Sequence, residues 1–370
     1  MLAGLRLALV GPTPPPSGGM ANQTQQLARL LRSEGAQVEL VPVNAPYRPA
    51  WVSRLRGVRA AFRLLSYLPL LWRAAGRNDL MHVMASSGWS WHLFAAPAVW
   101  IAWMRKVPVI VNYRGGEAES FFQRAFRWVR PTLARASSVM VPSGFLAEVF
   151  ARQQVETVVV PNVIDLESFR PAPEASFEGR RLIVTRNLEP VYDVATAIRA
   201  FEIVAASFPD SRLIVAGDGP ERPKLESLVT QRGLHERVRF TGNLPNEQVA
   251  DLYQTAALML NSSLADNMPI SILEAAASGV AVVSTDVGGV PYLVRDGESA
   301  LLVPPGDPAA LAQAAIRLLS DRELYLSLRE AGRRTAVACG WPRVRERLAE
   351  VYVQTARGPA RHTYRKTDAA

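Results

Sequence analysis

A chain of 370 residues, 49% hydrophobic and 20% charged, is long enough for two cores and too apolar to be disordered over most of its length. One cysteine, Cys339, excludes an intramolecular disulfide and a thiolate metal cluster, and fits a reducing compartment. The formal charge of +9 is lopsided: up to Arg170 there are 18 Arg and one Lys against nine acids, which is +10 and leaves the remainder near −1. That asymmetry marks the first half as the partner of something anionic, either nucleic acid or a membrane surface.

In chain order, LRLALVG is too short an apolar run for a signal peptide and runs into a Gly/Pro loop, so it reads as a first strand. Helical periodicity follows from Asn22 to Glu34, and QVELVPV is a second strand. Trp51 to Arg77 interleaves Arg54, Arg56, Arg59, Arg63 and Arg73 with Leu, Phe, Trp and Tyr. Two readings are open there: a basic amphipathic helix at a headgroup layer, which favours membrane over nucleic acid, or a surface helix whose arginines snorkel. LMHVMA is a strand. Trp89 to Met104, with four tryptophans and Pro97, is shorter than the roughly 20 residues of a spanning helix, so a buried helix and no transmembrane segment are expected. VPVIVNY, a helix from Phe121 to Arg135, SSVMVPS and TVVVPN complete this half.

The pattern then restarts. RPAPEASFEG, residues 170–179, is Pro-rich and reads as a linker. RLIVTRN, SRLIVAGDG, VRFTGNL, ALMLNSS, VAVVSTD and ALLVPP are six more buried strands separated by helices. Near-continuous Val/Ile/Leu strands of this kind belong to parallel sheets covered on both faces, so the expected fold is α/β with two doubly wound Rossmann-type domains and a ligand at the carboxyl ends of the strands. The expected divisions are 1–169 and 170–341, a helix at 342–357 that packs back on the first domain, and a loose basic tail at 358–370.

The chemistry sits in loops. Gly18 and Gly19 precede a helix start, where backbone can approach a phosphate, but no Gly-Lys-Ser/Thr or three-glycine fingerprint follows. AGDGPE, 216–221, has two glycines and Arg222 where the third would stand. The four histidines include no pair at metal-ligand spacing, there is no Asp-x-Asp pair, and no Gly-x-Ser-x-Gly elbow occurs. Asp266 precedes Glu274 by eight positions, around a short helix from Ser271 to Ser278 that Gly279 can end. Ser271 and Glu274 can form a capping box, with Asp266 a loop acid; alternatively the helix start binds an anion and the acids grip what is attached to it.

From Arg186 to Asp307 the chain resembles the C-terminal domain of retaining GT-B glycosyltransferases of family 4, the group 1 glycosyl transferases. VAGDGPERPKLESL, RVRFTGNLPNEQVADLY, SLADNMPISILEAAASGVAVVSTDVGGVPYLVRDGESALLVPPGDPAAL and the earlier VVVPNVIDLESFRP carry the likeness over about a third of the chain. The resemblance implies a GT-B fold and a nucleotide-sugar co-substrate, UDP- or GDP-linked, with no other cofactor and no metal. By it Glu274 would bind the ribose hydroxyls and Asp266 would face the sugar. Asn267, Met268, Pro269, Ile270 and Ser271 would meet sugar and diphosphate at the helix start. Arg186 would bind the diphosphate, Gly18 and Gly19 would form the opposing loop, and Asn243 and Leu244 would lie at the base. Asp266, Arg186 and Arg114 are the expected catalytic residues.

Three positions depart from the family pattern. Asp266 replaces Glu, Tyr192 stands where a Lys follows the Arg by six residues, and Arg114 replaces the His of the N-domain motif. Arg114 could restore the missing charge toward the diphosphate or an anionic acceptor. The resemblance implies a glycosyltransferase acting on a cell-envelope glycan or lipid-linked acceptor, with no nucleic-acid partner, cytoplasmic and peripheral to the inner membrane face. The alternative is a GT-B scaffold that has lost turnover and serves as a binding partner; an NAD-dependent enzyme ranks third.

Overall fold

The computed structural model describes residues 2–15, 18–46, 59–171 and 180–357, with the side chains of 59–61 and 357 excepted. The first part of the Arg-rich span (Trp51, Arg54, Arg56), most of the expected linker and the basic tail lie outside the described residues. The chain divides into two compact units: residues up to Val163 joined by Val344 onward, and Ile164–Arg343.

Unit 1 runs β1 (Arg6–Gly11), α1 (Gly19–Ser33), β2 (Gln37–Pro42), α2 (Arg59–Ala75), β3 (Leu80–Ala85), α3 (Ala96–Met104), β4 (Val109–Tyr113), α4 (Ala118–Leu133), β5 (Ser138–Val141), α5 (Gly144–Ala151) and β6 (Val158–Val159). Its parallel sheet has the order β2-β1-β3-β4-β5-β6. Unit 2 runs β7 (Arg181–Thr185), α6 (Val194–Ser207), β8 (Arg212–Ala216), α7 (Arg222–Gln231), β9 (Val238–Gly242), α8 (Asn246–Gln254), β10 (Leu258–Asn261), α9 (Ile270–Ala277), β11 (Ala281–Thr285), α10 (Val290–Leu293), β12 (Leu301–Val303), α11 (Pro308–Ser320) and α12 (Arg322–Ala338). Its parallel sheet has the order β12-β11-β10-β7-β8-β9. The last helix, α13 (Trp341–Arg357), belongs from Val344 to unit 1.

Each expected strand is present, and two-sided burial explains why they read as unbroken apolar runs. In β7, β10 and β11, Leu182, Val184, Leu258, Leu260 and Val283 enter one core, while Ile183, Met259 and Val282 enter the core on the opposite face. Helix ends moved more. α1 begins at Gly19 rather than near Asn22, and α4 spans Ala118–Leu133 rather than Phe121–Arg135. The Trp-rich segment is helical but opens with a π-helical turn, Trp91–Ala95, and is only partly buried: Trp91 is fully enclosed, whereas Trp89 and Trp103 are exposed.

Polar residues thread the interior of unit 1. Asn112 Nδ2 lies 3.0 Å from His82 Nε2 and His82 Nδ1 lies 2.7 Å from the Tyr352 hydroxyl. An amide nitrogen can only donate, so Nε2 accepts and the neutral ring donates its Nδ1 proton to Tyr352. Burial, aided by Arg114, pushes the His82 imidazole down to about 3, so it stays neutral. Tyr352 brings α13 into this run of bonds, and its loss strands a buried N–H. Tyr352→Phe is therefore expected to cost about 1–3 kcal/mol in urea unfolding; an unchanged midpoint would show that the bond contributes nothing.

Candidate active site

The strand order of unit 2 reverses between β7 and β10, the place in a doubly wound sheet where ligands meet strand ends. Arg186 follows β7 directly. Its Nε donates to Asn261 Oδ1 at 3.1 Å, its Nη2 pairs with Asp266 Oδ2, and its guanidinium lies 5.0 Å from the centre of the Tyr192 ring. The paired side chains are 11% and 14% exposed, so the charges interact largely out of water. Asp266 Oδ1 accepts from the Asn267 N–H at 2.8 Å. Both oxygens of the carboxylate expected to face the sugar are therefore engaged.

A second shell of bonds fixes this pair. Asn261, at the end of β10, donates to Ser284 Oγ at 2.8 Å and accepts from Ser263 Oγ at 2.9 Å. The 3₁₀ turn Pro190–Tyr192 is tied to the loop after β10: Leu264 N donates to Val191 O at 2.8 Å and Ser262 Oγ to Tyr192 O at 3.0 Å. Two glycines admit the backbones that carry the pair. A Cβ on Gly289 would lie 1.6 Å from Asn267 O, and one on Gly217 would lie 2.0 Å from Arg186 O. The glycines of AGDGPE thus support the Arg186 loop by close packing.

α9 starts at Ile270 with Pro269 as its N-cap and no side-chain cap, which corrects the expected capping box. Starting one residue early places Ser271 inside the first turn, where its hydroxyl cannot reach the N3 amide, and Ser271 Oγ is buried without a hydrogen-bond partner. Pro269 has no N–H and that of Asn267 is taken, so the expected row of donors is shorter than its residue count. The first-turn N–H groups of Ile270 and Ser271 have no partner within the helix. Glu274 stands one turn further on. Burial pushes its carboxyl up to about 7, against the pull of Arg186 and a hydrogen bond with Tyr253. The Tyr253 hydroxyl is itself enclosed, bonded to Thr185 Oγ1 and donating to Ser271 O at 3.1 Å. Asn243 is exposed and Leu244 half-buried, both just past β9.

The remaining expected residues lie in unit 1. Gly18 caps α1, and a Cβ on Gly18 or Gly19 would meet nothing within 4 Å, so the unit's own packing does not demand glycine there. Arg114, just past β4, donates to Asn162 Oδ1 at 2.6 Å, Asn112 Oδ1 at 3.3 Å and Gln23 Oε1 at 3.4 Å. Burial lowers its guanidinium to about 10, which leaves it charged at neutral pH. Among the described residues no three His, Cys, Asp or Glu stand close enough together to hold a metal ion.

Tyr253, Asn261, Ser263, Ser284, Gly217 and Gly289 were not expected here. The polar ends of ALMLNSS and VAVVSTD were the available signal.

Residues 18–163 match the model of the glycosyl transferase 4-like domain, and residues 167–335 match that of glycosyl transferases group 1. Residues 167–335 belong to the group 1 glycosyl transferases, and both halves of the chain match glycosyl transferase models. A D-inositol 3-phosphate glycosyltransferase of Thermobispora bispora is 34% identical over 215 residues, 54% of this chain and 50% of that protein. The phosphatidyl-myo-inositol mannosyltransferase of Mycobacterium leprae is 26% identical over 364 residues, 90% of this chain and 92% of that one. Anabaena HepE in complex with UDP-glucose shares the fold, with TM-score 0.75 at 17% identity, over 94% of this chain and 100% of that chain. The first curated relatives are matched over half their length or less.

Against the group 1 pattern, the structure shows what the Tyr192 departure does locally: an aromatic face stacks on Arg186 where a second cation would repel it. The raised Glu274 carboxyl has a consequence for stability. A carboxyl held up to about 7 when folded and near 4.5 when unfolded favours the folded state while protonated, and that advantage is lost as pH rises through 7. Glu274→Gln removes this dependence. Its stability relative to wild type is expected to rise by up to about 3 kcal/mol between pH 5 and pH 8. Parallel unfolding curves at both pH values would refute the assignment.

Proposed function

We propose that the protein is a glycosyltransferase that moves a sugar from a UDP- or GDP-sugar to a hydroxyl of a cell-envelope glycan or lipid-linked acceptor. The configuration is retained, and no metal or other cofactor is required. The observation that carries the reading is the convergence of Arg186, Asp266 and Glu274 with the start of α9 at the switch point of unit 2.

Diphosphate departure develops negative charge, and the site offers a fixed cation and helix-start amides to receive it. Arg186 would exchange part of its bond to Asp266 for the diphosphate, and Asp266 would then turn toward the sugar. Glu274 would accept from the ribose hydroxyls, replacing the poor company that holds its carboxyl up with two good donors. The Ser271 hydroxyl, buried and without a partner, is a further donor to the diphosphate. The departing phosphate would take the acceptor's proton. Gly18 and Gly19 leave open space at the start of α1, and Arg114 offers a cation for an anionic acceptor.

The acceptor class draws on the relatives, among them a phosphatidyl-myo-inositol mannosyltransferase. With such an acceptor the protein would work in the cytoplasm, peripheral to the inner face of the membrane; among the described residues no helix is long and apolar enough to cross one. UDP-glucose is the donor to try first, since HepE of the same fold was crystallised with it.

Free nucleotide diphosphate released from a panel of UDP- and GDP-sugars tests the reading. One donor is expected to turn over. Glu274→Ala should weaken its nucleotide diphosphate by about 1.5–3 kcal/mol, the worth of a hydrogen bond to a charged group. Asp266→Asn should keep that affinity within a few-fold and slow transfer by about a hundredfold or more. Unchanged affinity in Glu274→Ala, or no release from any donor, overturns the proposal.

A further inference from the structure

The helical layer formed by α2, α3 and α4 has a surface that the transfer site does not account for. α3 packs against both α2 and α4. On α2, Tyr67, Leu71 and Ala74 are buried, at helical spacing. The opposite side carries Leu65, Leu68 and Trp72, which are 68%, 38% and 46% exposed. Trp103 and Met104, at the end of α3, are each 52% exposed, and Trp128 of α4 is 64% exposed. Single exposed apolar side chains need no explanation; several large ones on adjoining helices do.

Each tryptophan is accompanied by arginine. The Arg105 guanidinium lies 4.8 Å from the centre of the Trp72 ring, which brings the ends of α2 and α3 together. Arg135, just past α4, lies 3.7 Å from the Trp100 ring and 4.9 Å from that of Trp103, while Trp100 Nε1 donates to Thr132 Oγ1 at 3.0 Å. Trp128, Thr132 and Arg135 are spaced i, i+4, i+7, so Trp128 lies on the side of α4 that meets α3. Arg127 lies 5.1 Å from the Trp128 ring. Opposing charge is scarce: α2 and α3 contain no acid, and α4 contains one, Glu119 in its first turn.

We infer that this face docks on an anionic lipid bilayer, with the indoles at headgroup depth and the arginines on lipid phosphates. Exposed tryptophan beside arginine is the composition of a membrane interface. Single-stranded nucleic acid would also stack on indoles, but Leu65, Leu68 and Met104 have no use in stacking bases, whereas all three can enter the acyl boundary. The inference rests on the peripheral placement proposed above and is independent of the transfer reaction. It extends the docking element from the described part of the Arg-rich span, α2, to a surface built from three helices.

Flotation of the full chain with vesicles of phosphatidylcholine containing one-third phosphatidylglycerol tests it. Wild type is expected to float at low salt, to lose most binding at high salt, and to bind pure phosphatidylcholine weakly. Trp72→Ala/Trp103→Ala/Trp128→Ala should lower partitioning about tenfold or more, each indole adding apolar area at the interface. Its melting temperature and affinity for UDP-glucose should stay unchanged, and Leu326→Ala in unit 2 should bind as wild type does. Three results overturn the inference. No flotation of wild type removes the peripheral placement itself, whatever the turnover assay shows. Equal flotation of the triple variant keeps the placement but moves it off this face. Binding of single-stranded RNA, or a dimer lost in the triple variant, with no vesicle binding assigns the face to another occupant.

Discussion

A guanidinium that is nine-tenths withdrawn from water must be met by an anion and by oriented polar groups, because burying an unpaired charge costs several kcal/mol. Arg186 is in that position, and much of the unit 2 site follows from satisfying it. Asp266 supplies the charge, and its second oxygen holds the N–H of Asn267, which fixes the loop leading into α9. Asn261 orients the guanidinium from β10 and is oriented in turn by Ser284 of β11. Tyr192 covers the remaining face. Three neighbouring strand ends are thereby locked into one polar cluster, and only glycine at 217 and 289 lets the flanking backbones come close enough.

Glu274 shows the opposite condition. It is a carboxyl kept in surroundings that favour its neutral form, one helical turn from the Arg186–Asp266 pair. The two acids of one short stretch therefore differ in kind: one is paired with a guanidinium and tied down, the other is buried, raised and bonded to Tyr253.

Unit 1 uses its interior polar groups for position. A chain of bonds runs from Tyr352 on α13 through His82 and Asn112 to Arg114, with Asn162 and Gln23 at its end. The last helix of the chain is thus coupled to the cation at the end of β4, and the neutral imidazole between them keeps the run free of competing charge. On one face of the same sheet the α2–α3–α4 layer presents indoles and arginines to solvent.

Strands are the part of this protein that sequence alone determined. All twelve were legible because a sheet buried on both faces needs Val, Ile or Leu at consecutive positions, and that requirement leaves a local trace. The two acids around α9 and Arg186 were legible through their motif. What tertiary structure decided was how those groups are spent. Asp266 meets Arg186 across eighty positions and Tyr253 meets Glu274 from another helix, so no local pattern encodes either contact. The capping-box alternative failed because the helix starts at Ile270 with Pro269 as its N-cap, which puts Ser271 inside the first turn where it cannot cap. The membrane signal was read from one Arg-rich span, yet the surface that carries it depends on which helices the sheet places side by side. That adjacency is set by strand order, which long-range packing chooses and local sequence does not state.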